Sequence, residues 1–375
     1  MEYFTKKITI LFFWSLCFFW TCQEKPNTKK VDSQSEQVSA QEVVPPLIFT
    51  VNVNRLRLRA EPGDQGKELA KLSAGTTLVD LDQVSDFHTR IKLRGVKYDE
   101  PWVKVKTQEG MEGWVFAGGL KFDSTHPGEV PQLLRKKRLQ SMFGRQLALA
   151  IFQYQEAYAN AKNSTTMAKV YTQGRELRDT LVRLLENKIL IDDYEQLPDL
   201  FWLEEAMPGY VTALVAEGTQ YYLFHDYGQM LEKVKATEGG QDDEFAQFCV
   251  QVHPMDSIEH FFPAWFMQTW DYGGHSLLGR GIHLDLLKKI EIQLTGNSPF
   301  AAELESIKER LLADIIEEYV SYWETQDQIT TELTAIVKAE LTILDQAQRV
   351  ALQTRLKMFA QAKANGIKVN QKSGE

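Results

Sequence analysis

The feature that most limits the fold is a change of hydrophobic period partway along the chain. Between residues 47 and about 122, apolar positions alternate with polar ones: Val51 and Val53, Leu56 and Leu58, then Leu78, Val79 and Leu81, then Phe87, Ile91 and Leu93. A period of two puts one face of a strand in a core and the other in water. Turn chemistry falls between the runs, at Glu61-Pro62-Gly63-Asp64, at Ala74-Gly75 and at Gly95. Gln108-Glu109-Gly110-Met111-Glu112-Gly113 then separates Trp102–Lys106 from Trp114–Phe116 as a hairpin connection. Six short strands in about 70 residues predict a small closed barrel.

After Pro127-Gly128 and Pro131 the period becomes 3.6. Leu147, Ile151 and Tyr158 share one helix face, which Ala148, Phe152 and Ala159 widen. Asn163-Ser164 offers an N-cap for a second helix running to about Glu186 through Leu177, Leu181, Leu184 and Leu185. Leu304, Ile307, Leu311, Ile315, Tyr319 and Trp323 mark one long helix after Pro299, and Ile329 to Phe359 reads as another long amphipathic stretch. No strand-like alternation is read in this part. Residues 131–366 are expected to form an all-α irregular bundle of about eight to ten helices, with 367–375 as a disordered tail.

The N-terminus bears on the compartment. Lys6 and Lys7 precede an apolar run from Ile8 to Trp20, too short to cross a hydrocarbon layer of about 30 Å but suited to a signal peptide over residues 1–21. Cys22 follows, and the chain turns polar at Gln23. The arrangement resembles a bacterial lipoprotein signal, which implies that Cys22 becomes an acylated N-terminal residue; Phe19, Trp20 and Thr21 stand where that signal usually has a Leu-like residue and small ones. Residues 22–46, poor in apolar side chains before Val43 and ending in Pro45-Pro46, read as a flexible tether. The expected location is the cell envelope, lipid-anchored to a membrane on its extracytoplasmic side. Cys17 would leave with the signal, so Cys249 would be the remaining thiol and no internal disulfide could form.

Three segments of the alternating region carry a family likeness. Leu56-Arg57-Leu58-Arg59-Ala60-Glu61-Pro62-Gly63, Lys71-Leu72-Ser73-Ala74-Gly75-Thr76, and Trp102-Val103-Lys104-Val105 with Gly110-Met111-Glu112-Gly113-Trp114-Val115 resemble a bacterial SH3 domain in order and interval. The likeness covers about a fifth of the chain. The segment from Gln83 to Glu100 is longer than the family pattern, and its charged residues are expected to decorate the barrel rim. Ala117-Gly118-Gly119-Leu120 replaces an ending that often has an aromatic or hydroxyl residue before the Leu. The resemblance implies an envelope binding module, for peptidoglycan peptides or a protein segment. Trp102, Trp114, Phe87 and Tyr98 are candidates for an aromatic ligand groove. The two Trp residues are more simply read as filling for a core too small to have much else.

A net charge of −9 argues against nucleic acid as a partner, because phosphate neutralisation needs clustered Lys and Arg. Arg135-Lys136-Lys137-Arg138 is such a run, and it is expected on the solvated side of a helix start.

Histidine crowds the middle of the helical part: His225, His253, His260, His275 and His283 are five of the seven. His253, Asp256 and His260 would share a helix face, but Pro254 breaks that helix and no HExxH or CxxC pattern occurs, so no metal or other cofactor is expected. Cys249, four residues before His253, sits between Phe248 and Val250 in an apolar stripe where a thiol is inert. No GxSxG elbow occurs, and no catalytic residue is assigned. Trp270-Asp271-Tyr272-Gly273-Gly274-His275 and Gly279-Arg280-Gly281-Ile282-His283 place four glycines in a helical region. Either Asp271, His275 and Arg280 point into a ligand cleft, or the segment is an interhelical loop whose Trp270 and Tyr272 plug the core. Two functions stay open: a lipid-anchored envelope protein binding peptidoglycan or a protein partner, and an envelope hydrolase that the barrel targets to its substrate.

Overall fold

The structure is a computed structural model that describes residues 45–189, 200–215, 220–254, 258–259, 261–269, 273–317 and 320–372. The proposed signal peptide, Cys22 and most of the tether lie outside them, as do Asp256, His260, Trp270, Asp271 and Tyr272.

Nine strands precede residue 123: β1 Ile48–Val51, β2 Leu56–Arg59, β3 Glu68–Leu72, β4 Thr77–Val84, β5 Thr89–Leu93, β6 Val96–Glu100, β7 Trp102–Thr107, β8 Glu112–Phe116 and β9 Leu120–Phe122. Seven form one antiparallel sheet in the order β3-β2-β8-β7-β4-β1-β9, while β5 and β6 pair only with each other. The alternation does what its period requires. Phe49, Leu58, Leu78, Val103, Val105, Val115 and Leu120 are buried, while Arg57 and Lys106 on the opposite faces of their strands stay exposed. The β7–β8 hairpin pairs Trp102 with Phe116 and Val105 with Gly113, and no atom could be added at Gly113: a Cβ there would lie 2.7 Å from the Arg59 carbonyl.

Ten α-helices follow among the described residues: α1 Glu129–Phe143, α2 Arg145–Asn160, α3 Ser164–Lys188, α4 Phe201–Ala206, α5 Tyr227–Val234, α6 Gln241–Val252, α7 Ile282–Thr295, α8 Ala301–Ile316, α9 Gln326–Lys338 and α10 Gln346–Phe359. Asn163 caps α3 as its residue type suggests, in a reciprocal box with Thr166. Leu304, Ile307, Leu311 and Ile315 form the buried stripe of α8, which packs against α7 and α10.

Several elements differ from the sequence reading. The helix expected to reach Trp323 ends at Ile316, because Tyr322 turns inward and its hydroxyl bonds the Asp314 and Ile315 carbonyls at 3.2 and 3.1 Å. The stretch from Ile329 to Phe359 is two helices, with Glu340 in the left-handed region (φ 49°) and Asp345 capping α10. Two hairpins interrupt the helices: β10 Tyr210–Val215 with β11 Gln220–His225, and β12 Phe266–Gln268 with β13 Gly274–Ser276. The first escaped notice because Tyr221-Tyr222-Leu223-Phe224 is a continuous apolar run, which periodicity alone does not tell from a helix turn.

The segment expected to decorate the barrel rim is the β5–β6 hairpin, and one face of it is a packing surface. Val96, Tyr98 and Glu100 on β6 are buried, and β6 lies against α1. The basic run also departs from the solvated position expected of it, since Arg138 is only 3% exposed. Its guanidinium donates to both Glu100 oxygens, at 2.5 and 2.9 Å, and to the Ala117 carbonyl at 3.0 Å. The same group lies 5.6 Å from the centroids of Tyr98 and Phe122 and 5.8 Å from Trp202 of α4. Burial works against its charge, but the Glu100 carboxylate outweighs that and holds the Arg138 pKa above the usual arginine value. Gly118 belongs to the same joint: a Cβ there would lie 2.5 Å from the Phe116 ring and 3.1 Å from Tyr98. At Gly119 a Cβ would lie 2.8 Å from Leu56, so neither glycine admits the side chain more usual at such an ending. Residues 44–375 accordingly make one compact unit.

Candidate functional site

Four turns and four strands contribute to a cleft of about 560 Å³ on the barrel. Its walls are the β1–β2 connection, around Asn52 to Arg57, and the end of the β5–β6 hairpin, Ile91 to Arg94. Trp102 and Phe116 form its floor, with ring centroids 5.8 Å apart and planes at 62°. The Arg94 guanidinium joins the walls by donating to the Asn52 carbonyl at 3.3 Å. Among its charged lining residues cations prevail: Arg55, Arg57, Arg59, Lys92 and Arg94 against one acid, Asp64.

Two of these arginines occupy backbone positions that disfavour them. Arg94 (φ 48°) and Gly95 (φ 80°) make the two-residue turn of the hairpin, where both central residues need positive φ and Asn-Gly is the usual solution. Arg55 (φ 64°) does the same at the β1–β2 turn. A left-handed arginine costs about 1–2 kcal/mol, and such costs gather at functional positions. Arg59 is the third unusual case. A β-bulge interrupts the β2–β3 pairing between Leu58 and Arg59, and the Arg59 side chain is 7% exposed. It donates Nη1 to the Gly66 carbonyl and lies 5.8 Å from the Trp102 ring, but its buried Nε has no partner and no carboxylate among the described residues pairs with it.

The cleft is basic against the trend of the chain. Residues 47–122 hold 12 Lys and Arg against 10 Asp and Glu, whereas residues 123–375 hold 25 against 36. A second cleft, of about 690 Å³, lies at the hairpin's junction with the helices and is lined by Arg90, Lys97, Tyr98, Met142 and Asn187 among others.

The candidate aromatics do not form one groove. Trp102 floors the first cleft, where its Nε1 donates to Thr89 Oγ1 at 2.8 Å, while Tyr98 lines the second. Phe87 is 43% exposed and packs over the Gly63 turn, and Trp114 is half-buried opposite Arg59 and Lys104; neither lines these two clefts. The arginines were not singled out in the sequence because each, taken alone, is the polar half of an alternation or a turn residue. For Arg94 alone a signal was present, Arg94-Gly95 at a tight turn where Asn-Gly is usual.

In the glycine-rich segment, His275 Nδ1 meets Ser321 Oγ at 2.7 Å, and Arg280 pairs with Glu324 at 2.7 Å. Glu324 also pairs with Lys372. Gly279 (φ 110°) and Gly281 (φ 83°) let the backbone wrap a carboxylate: the N–H groups of Gly279, Gly281 and Leu284 donate to buried Glu332 at 2.6, 2.8 and 3.1 Å. Ser276 Oγ and His283 Nε2 both bond Asp314 Oδ2, at 2.5 and 2.8 Å. Serine and histidine share an acceptor and are not hydrogen-bonded to each other, so the nucleophile–base bond of acyl transfer is missing from this trio.

A further ionic cluster lies in the helical part. Glu259 accepts from Arg178 at 2.6 Å and from His225 Nδ1 at 3.1 Å, and His225 is stacked 4.6 Å from Tyr171. Burial alone would raise the Glu259 pKa; the hydrogen bond and charge of His225 and the charge of Arg178 outweigh it and hold the carboxyl far below its usual range. Cys249 is 1% exposed, and burial pushes its thiol well up. His253 ends α6, its backbone N–H donating to the Cys249 carbonyl at 2.8 Å. Among the described residues no group of three or more His, Cys, Asp or Glu could hold a metal, and no helix is long and apolar enough to cross a membrane.

The small antiparallel sheet with its Trp102–Phe116 floor is a domain of the SH3 type. Residues 54–121 match the family model of the bacterial SH3 domain. The match does not extend into the helices that follow. No curated protein and no solved structure compared with the chain matches it.

Proposed function

We propose that this protein is a lipid-anchored component of a bacterial cell envelope, held to a membrane through Cys22, whose SH3 domain binds peptidoglycan. The observation that carries the reading is the match of residues 54–121 to a domain that is commonly a cell-wall binding module. The polar stretch between Cys22 and Pro46 gives such a module reach away from a membrane surface. The arginine-lined cleft supplies a concave site on that domain, of a size typical for small ligands.

The test is cosedimentation of the purified protein with cell-wall sacculi. Binding without release of soluble fragments is expected. Protein left in the supernatant overturns the wall-binding reading, and release of fragments replaces it with hydrolysis. Anchoring is checked separately by radiolabelled palmitate on the wild type and on Cys22→Ser: label is expected on the wild type only, and equal labelling removes the anchor.

A further inference from the structure

Arg59 is a buried guanidinium without a counter-ion. Arg138 has Glu100 and Arg178 has Glu259, and Arg355, which also pairs with no carboxylate among the described residues, fills its donors on the Ile315 and Glu317 carbonyls and the Tyr322 hydroxyl; Arg59 bonds the Gly66 carbonyl and leaves its Nε without a partner. An unpaired charge removed from water is costly, so a chain that keeps one in the wall of an open cleft retains it for an anion that comes from outside. Arg55 and Arg94 converge on the same cleft from two turns, at left-handed positions where Asn or Gly would be more stable. Three arginines are therefore placed there against local backbone or solvation preference, and the cleft is what they share.

We propose that this cleft is a carboxylate-recognition site, in which Arg59, Arg55 and Arg94 hold the free carboxylates of a short wall peptide. The fork of a guanidinium matches a carboxylate in two parallel hydrogen bonds, and the Arg59 Nε–H is the unused donor that begins one. The floor decides between peptide and phosphate polymer. Trp102, Phe116, Ile91 and Leu93 make it aromatic and aliphatic, which suits a ligand carrying methyl and methylene groups beside its charges. Phosphate chains are usually cradled by clustered backbone N–H groups or helix N-termini. The proposal rests on the wall-binding reading and adds to it the ligand's charge and the residues that read it.

The experiment measures binding of the full protein by calorimetry to a soluble muropeptide with free carboxylates, to the same muropeptide amidated, and to a soluble phosphate polymer. The key variant is Arg55→Asn with Arg94→Asn, which removes two guanidiniums while installing the residue that left-handed turns prefer. The wild type is expected to bind the free-carboxylate muropeptide about tenfold or more tightly than the amidated one, and the double variant to lose about tenfold or more. The variant's melting temperature is expected to equal or exceed the wild type's, which sets the binding loss apart from unfolding. Equal affinity for free and amidated peptide, or undiminished binding by the double variant, overturns the proposal; if sacculi still sediment the protein, the wall-binding reading survives it. Preference for the phosphate polymer also overturns it. A wild type that binds neither muropeptide nor sacculi removes both.

Discussion

Replacing Arg138 with Met tests whether the joint at the β5–β6 hairpin is an electrostatic lock. The substitution keeps a long apolar stem and leaves the Glu100 carboxylate, which is 0% exposed, without the two hydrogen bonds it accepts at 2.5 and 2.9 Å. Removing one partner of a buried pair costs about 3–5 kcal/mol, because the remaining charge is stranded away from water. Glu100→Met should cost less, about 2–3 kcal/mol, since Arg138 keeps the Ala117 carbonyl and its contacts with Tyr98, Phe122 and Trp202. The double variant should recover most of the loss and lie within about 2 kcal/mol of wild type, because a well-packed apolar pair often substitutes for a buried ionic one. Denaturant titrations followed by tryptophan fluorescence and by helical circular dichroism give all four corners of the cycle, and a favourable coupling above about 2 kcal/mol is expected. If Arg138→Met lies within about 1 kcal/mol of wild type, or if the two single losses simply add, the lock does not exist.

Three further outcomes are expected. Burial raises the Asp80 carboxyl to about 6, so the folded chain holds its proton more tightly than the unfolded one, and stability from this group falls as pH rises from about 4 through 6; Asp80→Asn should gain on the order of 1–3 kcal/mol at pH 8 and nothing at pH 4 in thermal melts. Glu259 is shifted the opposite way, so its contribution is present above the unfolded carboxyl value of about 4.3 and is lost as pH falls below it; Glu259→Gln should flatten that acid limb in a pH series of denaturation midpoints, and an unchanged limb would contradict the cluster's role. Gly118→Ala should destabilise by about 1–3 kcal/mol, read by chemical denaturation, because the new methyl would press the Phe116 and Tyr98 rings.

The barrel was legible because its information is local. Leu56 and Leu58 alternate with Arg57, Pro62-Gly63 turn, and Val103, Val105 and Val115 repeat the pattern, so period alone marks six strands; the structure has nine, and β3, β6 and β9 were not read from it. The helices were legible for the same reason where caps marked their ends, as at Asn163, and illegible where a tertiary contact broke a continuing pattern, as where Tyr322 turns inward toward Ile315. Glu100 and Arg138 show the harder limit. Charged residues read as solvated until their partner is known, and theirs lies 38 positions away. The cleft hides by the same logic: Arg55, Arg59 and Arg94 are ordinary surface residues one at a time and become a site only through the turns that gather them.

The β5–β6 ribbon has one end at the cleft, through Lys92 and Arg94, and one side against α1, through Val96, Tyr98 and Glu100. The two strands are paired residue for residue from Leu93–Val96 to Thr89–Glu100, so one continuous ribbon runs from the cleft wall to the joint at Arg138. The strand pair that walls the cleft is thus also the one that seats Arg138, and sheet and helices share it as a common part.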